Sequence, residues 1–395
     1  MQLYHRPAAI CLLISTAVMF TAFTTHPKKI KTVPPAALKK PTVKPKIQAA
    51  ILLDVSNSMD GLIDQAKTQL WNMVSVMGKA KCSNDIQPDI EIALYEYGRS
   101  TNPVSAGYVK QISPFTSDLD MLSKELFGLS TNGGDEYCGQ VIFTSLKDLK
   151  WDNAPGNYKV IFIAGNEDFL QGSLHYTKAC TLAKNMGVIV NTIYCGDRQN
   201  GINEHWNLNA ECGTGSFTNI NQDEKAEEIP TPYDSIMFSL NDKLNSTYIA
   251  YGTTGKYKQQ VQTEMDSKNY SMNKTVAAKR ISVKGQSNLY KNDSWDLVDA
   301  QAASPNEDVL KKVDRHQLAD SLQTKSSEEL KTIITAKSKE RTAVQKEIAS
   351  INIKRETFLA EAKRKNAASH NVATLETAME KIIKDQAKRF NMSIR

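Results

Sequence analysis

Ile51-Leu52-Leu53-Asp54-Val55-Ser56-Asn57-Ser58-Met59-Asp60-Gly61 is the stretch on which the reading of this chain turns. The apolar run over 49–53 stops at an aspartate, and two hydroxyls follow at alternate positions. In extended backbone, residues i, i+2 and i+4 point to one side. Asp54, Ser56 and Ser58 therefore aim three oxygens at one point. Hard divalent cations such as Mg²⁺ take oxygens of this kind, with waters or external ligands completing the shell. An unbroken apolar run is the mark of a strand covered on both faces, so the stretch proposes a metal at the end of a buried strand.

The flanking sequence supplies the rest of such a sheet. Leu62, Ala66, Leu70, Met73 and Met77 recur at helical spacing. Strands are predicted over 90–97, 108–112, 160–164, 188–194 and 216–220, and helices over 119–129, 138–149, 176–186 and 232–245. This alternation predicts an α/β fold with a doubly wound, mostly parallel sheet over 47–251. In such sheets ligands bind beyond the carboxyl ends of the strands, which is where Asp54 falls. Two further loops reach that edge: Ser130-Thr131-Asn132-Gly133-Gly134-Asp135-Glu136 and Gly165-Asn166-Glu167-Asp168-Phe169. Thr131 offers a hydroxyl, and Asn166 and Glu167 offer oxygens. Asp60 and Asp64 read as first-turn charges that complement a helix dipole. Asp135 and Glu136 read either as caps of the helix containing Cys138 or as ligands.

With these residues in place, the chain resembles the von Willebrand factor A-type domain with its metal-ion-dependent adhesion site. That signature is D-x-S-x-S after the first strand, a threonine in a second loop and an aspartate in a third. Asp54, Ser56 and Ser58 match the first element, and Thr131 before Asn132 and a glycine pair matches the second. The third departs: Ala164-Gly165-Asn166 puts Gly165 at the aspartate position. Phe162-Ile163-Ala164-Gly165-Asn166-Glu167, Asn191-Thr192-Ile193-Tyr194-Cys195-Gly196, Ser294-Trp295-Asp296-Leu297-Val298-Asp299 and Lys325-Ser326-Ser327-Glu328-Glu329-Leu330 resemble an exported bacterial subgroup with a helical tail. The resemblance implies a site for Mg²⁺ or Mn²⁺ on Asp54, Ser56, Ser58 and Thr131, with Asn166 or Glu167 compensating for the missing aspartate. One carboxylate and neutral hydroxyls leave the ion net positive, so it recruits an acidic oxygen from a protein partner.

Composition narrows the alternatives. The net charge of +6 comes from Lys28, Lys29, Lys31, Lys39, Lys40, Lys44, Lys46 and Arg6; the remainder carries 41 basic and 43 acidic groups, which excludes a basic nucleic-acid surface. His5 and Arg6 precede an apolar segment over 8–23, the pattern of a signal peptide or retained anchor over 1–26, so export to the periplasm or cell envelope is expected. The Pro/Lys-rich stretch 27–46 reads as an extended spacer, and so as a membrane tether if the anchor is retained. Besides Cys11, five cysteines without C-x-x-C spacing allow at most two disulfides and give zinc little support. The six histidines pair with no nucleophile, His175 and His205 read as solvent-facing helical residues, and no phosphate loop is present, so no enzyme is expected.

Residues 252–305 read as a mixed polar connection and 306–395, which lack Gly and Pro, as a helical tail. Val344, Ile348, Ile351, Phe358 and Ala362 form a broken coiled-coil seam interrupted by Arg355, suited to folding back or to helix-mediated self-association. The expected function is a divalent-metal-dependent, adhesion-type protein-binding module. The alternatives are a metal-free envelope scaffold acting through the tail and, less favoured, a metal-assisted hydrolase with Glu167 or Asp135 as base.

Overall fold

Strand β1 (Lys46–Asp54) is buried from Ile47 to its end because both faces of its sheet are covered. Its side chains divide by the strand period: Ile47, Ala49, Ile51 and Leu53 enter one core, Ala50 and Leu52 the other. The computed structural model of the protein describes residues 44–82, 85–221, 223, 228–366 and 375–394. The signal or anchor expected over 1–26, and the spacer apart from its last three residues, lie outside them.

After β1 come α1 (Asp60–Gly78), the two-residue β2 (Ala80–Lys81), β3 (Asp89–Tyr97), β4 (Lys110–Thr116), α2 (Leu119–Gly128), α3 (Cys138–Asp148), β5 (Tyr158–Gly165), α4 (Tyr176–Met186), β6 (Ile189–Cys195), α5 (Arg198–Asn203), α6 (Trp206–Cys212) and β7 (Thr214–Ile220). The main sheet has the order β4-β3-β1-β5-β6-β7. All neighbours are parallel except β3 and β4. Counted within this sheet alone, the order is 3-2-1-4-5-6 of the doubly wound fold, with its switch point at β1. The α/β class read from the sequence is therefore the observed one.

The C-terminal half holds α7 (Asp234–Asn245), α8 (Gly255–Met272), α9 (Lys274–Lys284), α10 (Leu297–Ala303), α11 (Asp320–Gln323), α12 (Ser327–Asn366), α13 (Leu375–Ala387) and β8 (Ser393–Ile394), which pairs antiparallel with β2. Helices α8 and α9 occupy the stretch read as a polar connection. They escape a periodicity reading because the buried face of α8 is half polar: Gln262 and Asn269 lie beside Val261 and Met265. Those polar groups serve a buried network. Arg280 Nη1 and Nε donate to Asp120 at 2.6 Å and Asp266 at 2.7 Å, and Lys284 Nζ reaches Asp266 at 2.8 Å.

Helix α12 opens with a reciprocal capping box, in which Ser326 N–H donates to Glu329 and Glu329 N–H donates to Ser326 Oγ at 3.2 Å. Its buried stripe departs from the expected seam. Arg341, Val344, Ile348, Arg355 and Leu359 are buried, while Phe358 is 37% exposed. Arg355, read as an interruption, is fully buried and donates to Asp234 at 2.8 Å. Arg341 donates to Asp296 at 2.6 Å and to Thr247 at 2.9 Å. Helix α13 adds Leu375, Met379, Ile382 and Ile383 to the core on the α1 face of the sheet. No helix among the described residues is long and apolar enough to cross a membrane.

Candidate metal centre

Three loops meet at the carboxyl ends of β1, β3 and β5. Val55 N–H donates to Tyr97 O at 2.9 Å, Asn132 N–H to Val55 O at 2.8 Å, and Ser100 N–H to Gly133 O at 2.8 Å, so the loops are laced to each other through backbone. The glycine pair permits this. A Cβ on Gly134 would sit 2.6 Å from Ser100 N and 2.7 Å from Gly98 O.

Asp54 is fully buried at the centre. Its Oδ1 accepts the Ser56 N–H at 2.8 Å, but Oδ2 is buried with no partner, as is Ser56 Oγ. Burial pushes the Asp54 carboxyl up to about 6, partly offset by the nearby backbone N–H groups of Ser56 and Asn166; the charge of Glu167 pushes the same way as burial. Ser58 Oγ accepts from Asn166 Nδ2 at 3.2 Å, and Asn166 Oδ1 is again buried and unpartnered. The structure thus brings Asp54, Ser56, Ser58 and Asn166 together.

Thr131 is turned differently. Its hydroxyl donates to Asp60 Oδ1 at 2.7 Å, so Asp60 is a partner of the second loop as well as a first-turn charge. A hydroxyl that gives away its proton keeps its lone pairs, so Thr131 stays able to ligate. Glu167 is exposed, with its carbonyl accepting from Trp206 Nε1 at 2.8 Å; it acts on Asp54 and Glu136 through charge.

The residue that sequence reasoning undervalued is Glu136. It does not cap α3, whose N-cap is Tyr137 without a side-chain bond, and Asp135 instead accepts the Tyr137 hydroxyl at 3.2 Å. Glu136 is buried against Gly98, whose positive φ of 79° lets the chain turn there without a side chain. The point where a Gly98 Cβ would sit is 2.9 Å from Asp54 Oδ1 and 3.6 Å from Glu136 Oε1. Burial, then the charges of Asp54 and Glu167, push Glu136 up to about 8. The one signal for this in the sequence is the Gly133-Gly134 pair, which lets the loop turn its acidic end inward.

Below the carboxylates lie Tyr97, Cys138 and Cys195, all buried. The Tyr97 hydroxyl donates to Ala164 O at 3.0 Å, and burial pushes both thiols up, so neither is a ready nucleophile. Cys82, Cys138 and Cys195 are free and Cys180 is disulfide-bonded. The two histidines reach solvent as expected, but neither lies within a helix. His175 caps α4, accepting the Thr177 N–H, and His205 sits in a left-handed turn with Nδ1 3.0 Å from Asp168 Oδ1.

The donor set fits a hard divalent cation. Two orphaned buried oxygens and an excess of carboxylate lack a positive counterpart, and an unpaired buried oxygen is costly until something binds it. No group of three or more His, Cys, Asp or Glu side chains that could hold a metal ion occurs among the described residues.

No family model matches the chain and no curated protein matches its sequence. Solved structures with some likeness include mussel-byssus proximal thread matrix protein 1 with a zinc-occupied MIDAS motif, at 13% identity over 46% of this chain and 43% of that one, TM-score 0.34. Another is the SpRpn10 VWA domain, at 14% identity over 44% of this chain and 88% of that one, TM-score 0.33. A third is an aerotolerance-related membrane protein from Bacteroides fragilis, at 17% identity over 45% of this chain and 93% of that one, TM-score 0.32. This chain spans less than half of the mussel protein. Likenesses of this size say nothing about ligand or partner.

Proposed function

We propose that the protein is a non-enzymatic, divalent-cation-dependent protein-binding module of the von Willebrand factor A type, exported by its N-terminal segment and acting at the cell envelope. Asp54, Ser56, Ser58 and Thr131 hold Mg²⁺ or Mn²⁺, Asn166 orients Ser58, and an acidic side chain of the partner completes the shell. The observation that carries this reading is the pair of buried, unpartnered oxygens, Asp54 Oδ2 and Ser56 Oγ, at the switch point of the sheet. The bound ion would supply a positive centre with open positions, and the protein would fix its place through these side chains. Calorimetric titration with Mg²⁺ and Mn²⁺ tests it. Saturable binding to the wild type, lost in Asp54→Ala while the circular dichroism is kept, is expected; equal affinity in the mutant overturns the reading.

A second reading, a metal-free scaffold acting through α12, is favoured by Ile353, which is 68% exposed, and by Phe358 on the same helix. Capture of an envelope partner that survives EDTA and is lost in Ile353→Lys/Phe358→Lys favours this scaffold instead.

A further inference from the structure

We propose that Glu136 is a second carboxylate on the same cation, filling the part that a third-loop aspartate would otherwise play. This rests on the metal-binding reading of Asp54 above. Three observations converge on it. First, the third loop has no room for a carboxylate at position 165. A Cβ there would lie 2.5 Å from the Tyr97 hydroxyl and 2.9 Å from Asp54 Oδ2. Second, Glu136 enters from the side of β3 instead. Its Cγ and Oε1 lie 3.0 and 3.6 Å from the point that Asp54 Oδ1 approaches to 2.9 Å. With metal–oxygen distances of ~2.1 Å for Mg²⁺, one ion with at most one intervening water spans two oxygens so placed. Third, Asp54 Oδ2, on the Gly165 side of the same carboxylate, and Ser56 Oγ are buried and unpartnered, so the carboxylate beside which Glu136 stands still wants a ligand.

Two carboxylates this close are costly to bury in their charged forms unless a cation joins them. Glycines make the arrangement possible. Gly98 removes the side chain that would separate the carboxylates, and Gly134 lets the loop approach β3 closely enough to deliver Glu136. The second carboxylate brings the centre near neutrality, so a partner's acidic oxygen is held by coordination more than by net attraction.

The test is Mn²⁺ binding, followed by electron paramagnetic resonance and calorimetry, on the full chain and on Asp54→Asn, Glu136→Gln and Glu167→Gln. Glu136→Gln keeps the shape of the side chain, and thermal melts of the metal-free proteins check that each variant folds. The expected result is loss of binding in Asp54→Asn, a 10–100-fold weaker affinity in Glu136→Gln, and less than a threefold change in Glu167→Gln. Wild-type affinity in Glu136→Gln with binding lost in Asp54→Asn overturns the role of Glu136 and leaves the site itself standing. A loss in Glu167→Gln as large as in Glu136→Gln overturns it too, because Glu136 then acts only through the field. No binding to the wild type overturns both readings.

Discussion

Gly165 lies against the Tyr97 hydroxyl so tightly that an added Cβ would come within 2.5 Å of it. That hydroxyl is held by Ala164 O, one residue earlier on β5, and cannot move aside without losing its bond inside the core. The glycine is therefore required by packing, and the position has no space for an aspartate.

Gly165→Ala should cost about 1–3 kcal/mol through overpacking. Urea unfolding measures it. Part of the loss should return in Gly165→Ala/Tyr97→Phe, where the colliding oxygen is gone; an alanine variant that unfolds at the wild-type midpoint would show that the loops yield more readily than the geometry implies.

In the absence of divalent cations, stability should fall as pH rises from about 4 to about 8. Asp54 and Glu136 have folded-state values raised to about 6 and about 8, chiefly by burial, with the charge of Glu167 adding to both and that of Asp54 adding to Glu136. Between the unfolded and folded values the native state holds more protons, so the slope of unfolding free energy with pH is negative. For Asp54 alone the effect is about 3 kcal/mol. Chemical denaturation at pH 4.5, 6 and 8 in EDTA reads it, and Glu136→Gln should flatten the upper part of the curve.

The buried pair Arg355–Asp234 should respond asymmetrically. Asp234→Ala removes the hydrogen-bonded partner of a guanidinium whose Nη1 and Nη2 already lack hydrogen bonds, leaving only the partly exposed Glu356 at 3.7 Å, and should cost about 3 kcal/mol. Arg355→Met fills similar volume without a charge and should cost much less. Equal losses in thermodynamic measurements on the two variants would mean that the ion pair, not the stranded charge, sets the energy.

The C-terminal helix should behave as core. Ile383 is fully buried on the α1 face of the sheet, and Ile383→Ala should cost about 2–5 kcal/mol in chemical denaturation. A variant with an unchanged midpoint would mean that α13 packs loosely in solution.

The central parallel strands β1 and β5 were legible because each carries an apolar run, the composition of a strand covered on both faces. The run ending at Asp54 also announced the first loop of the site, since aspartate and two serines at alternate positions point one way in any extended backbone. Helices α8 and α9 were not legible. Their buried faces carry Gln262, Asn269, Arg280 and Lys284, which look like solvent positions until Asp266 of α8 and Asp120, brought by α2, pair with the two cations. Arg355 shows the same rule on α12.

By itself, the sequence determined the strand-rich α/β core and the oxygen-bearing loop after β1, because these depend on residues adjacent in the chain. Tertiary structure alone decided the rest of the site. It turned Thr131 toward Asp60, closed position 165 with Tyr97, and set Glu136 beside Asp54 across Gly98. These are distances between separate strands and loops, and charge or steric energy at a few ångströms follows from the packing that brings them together.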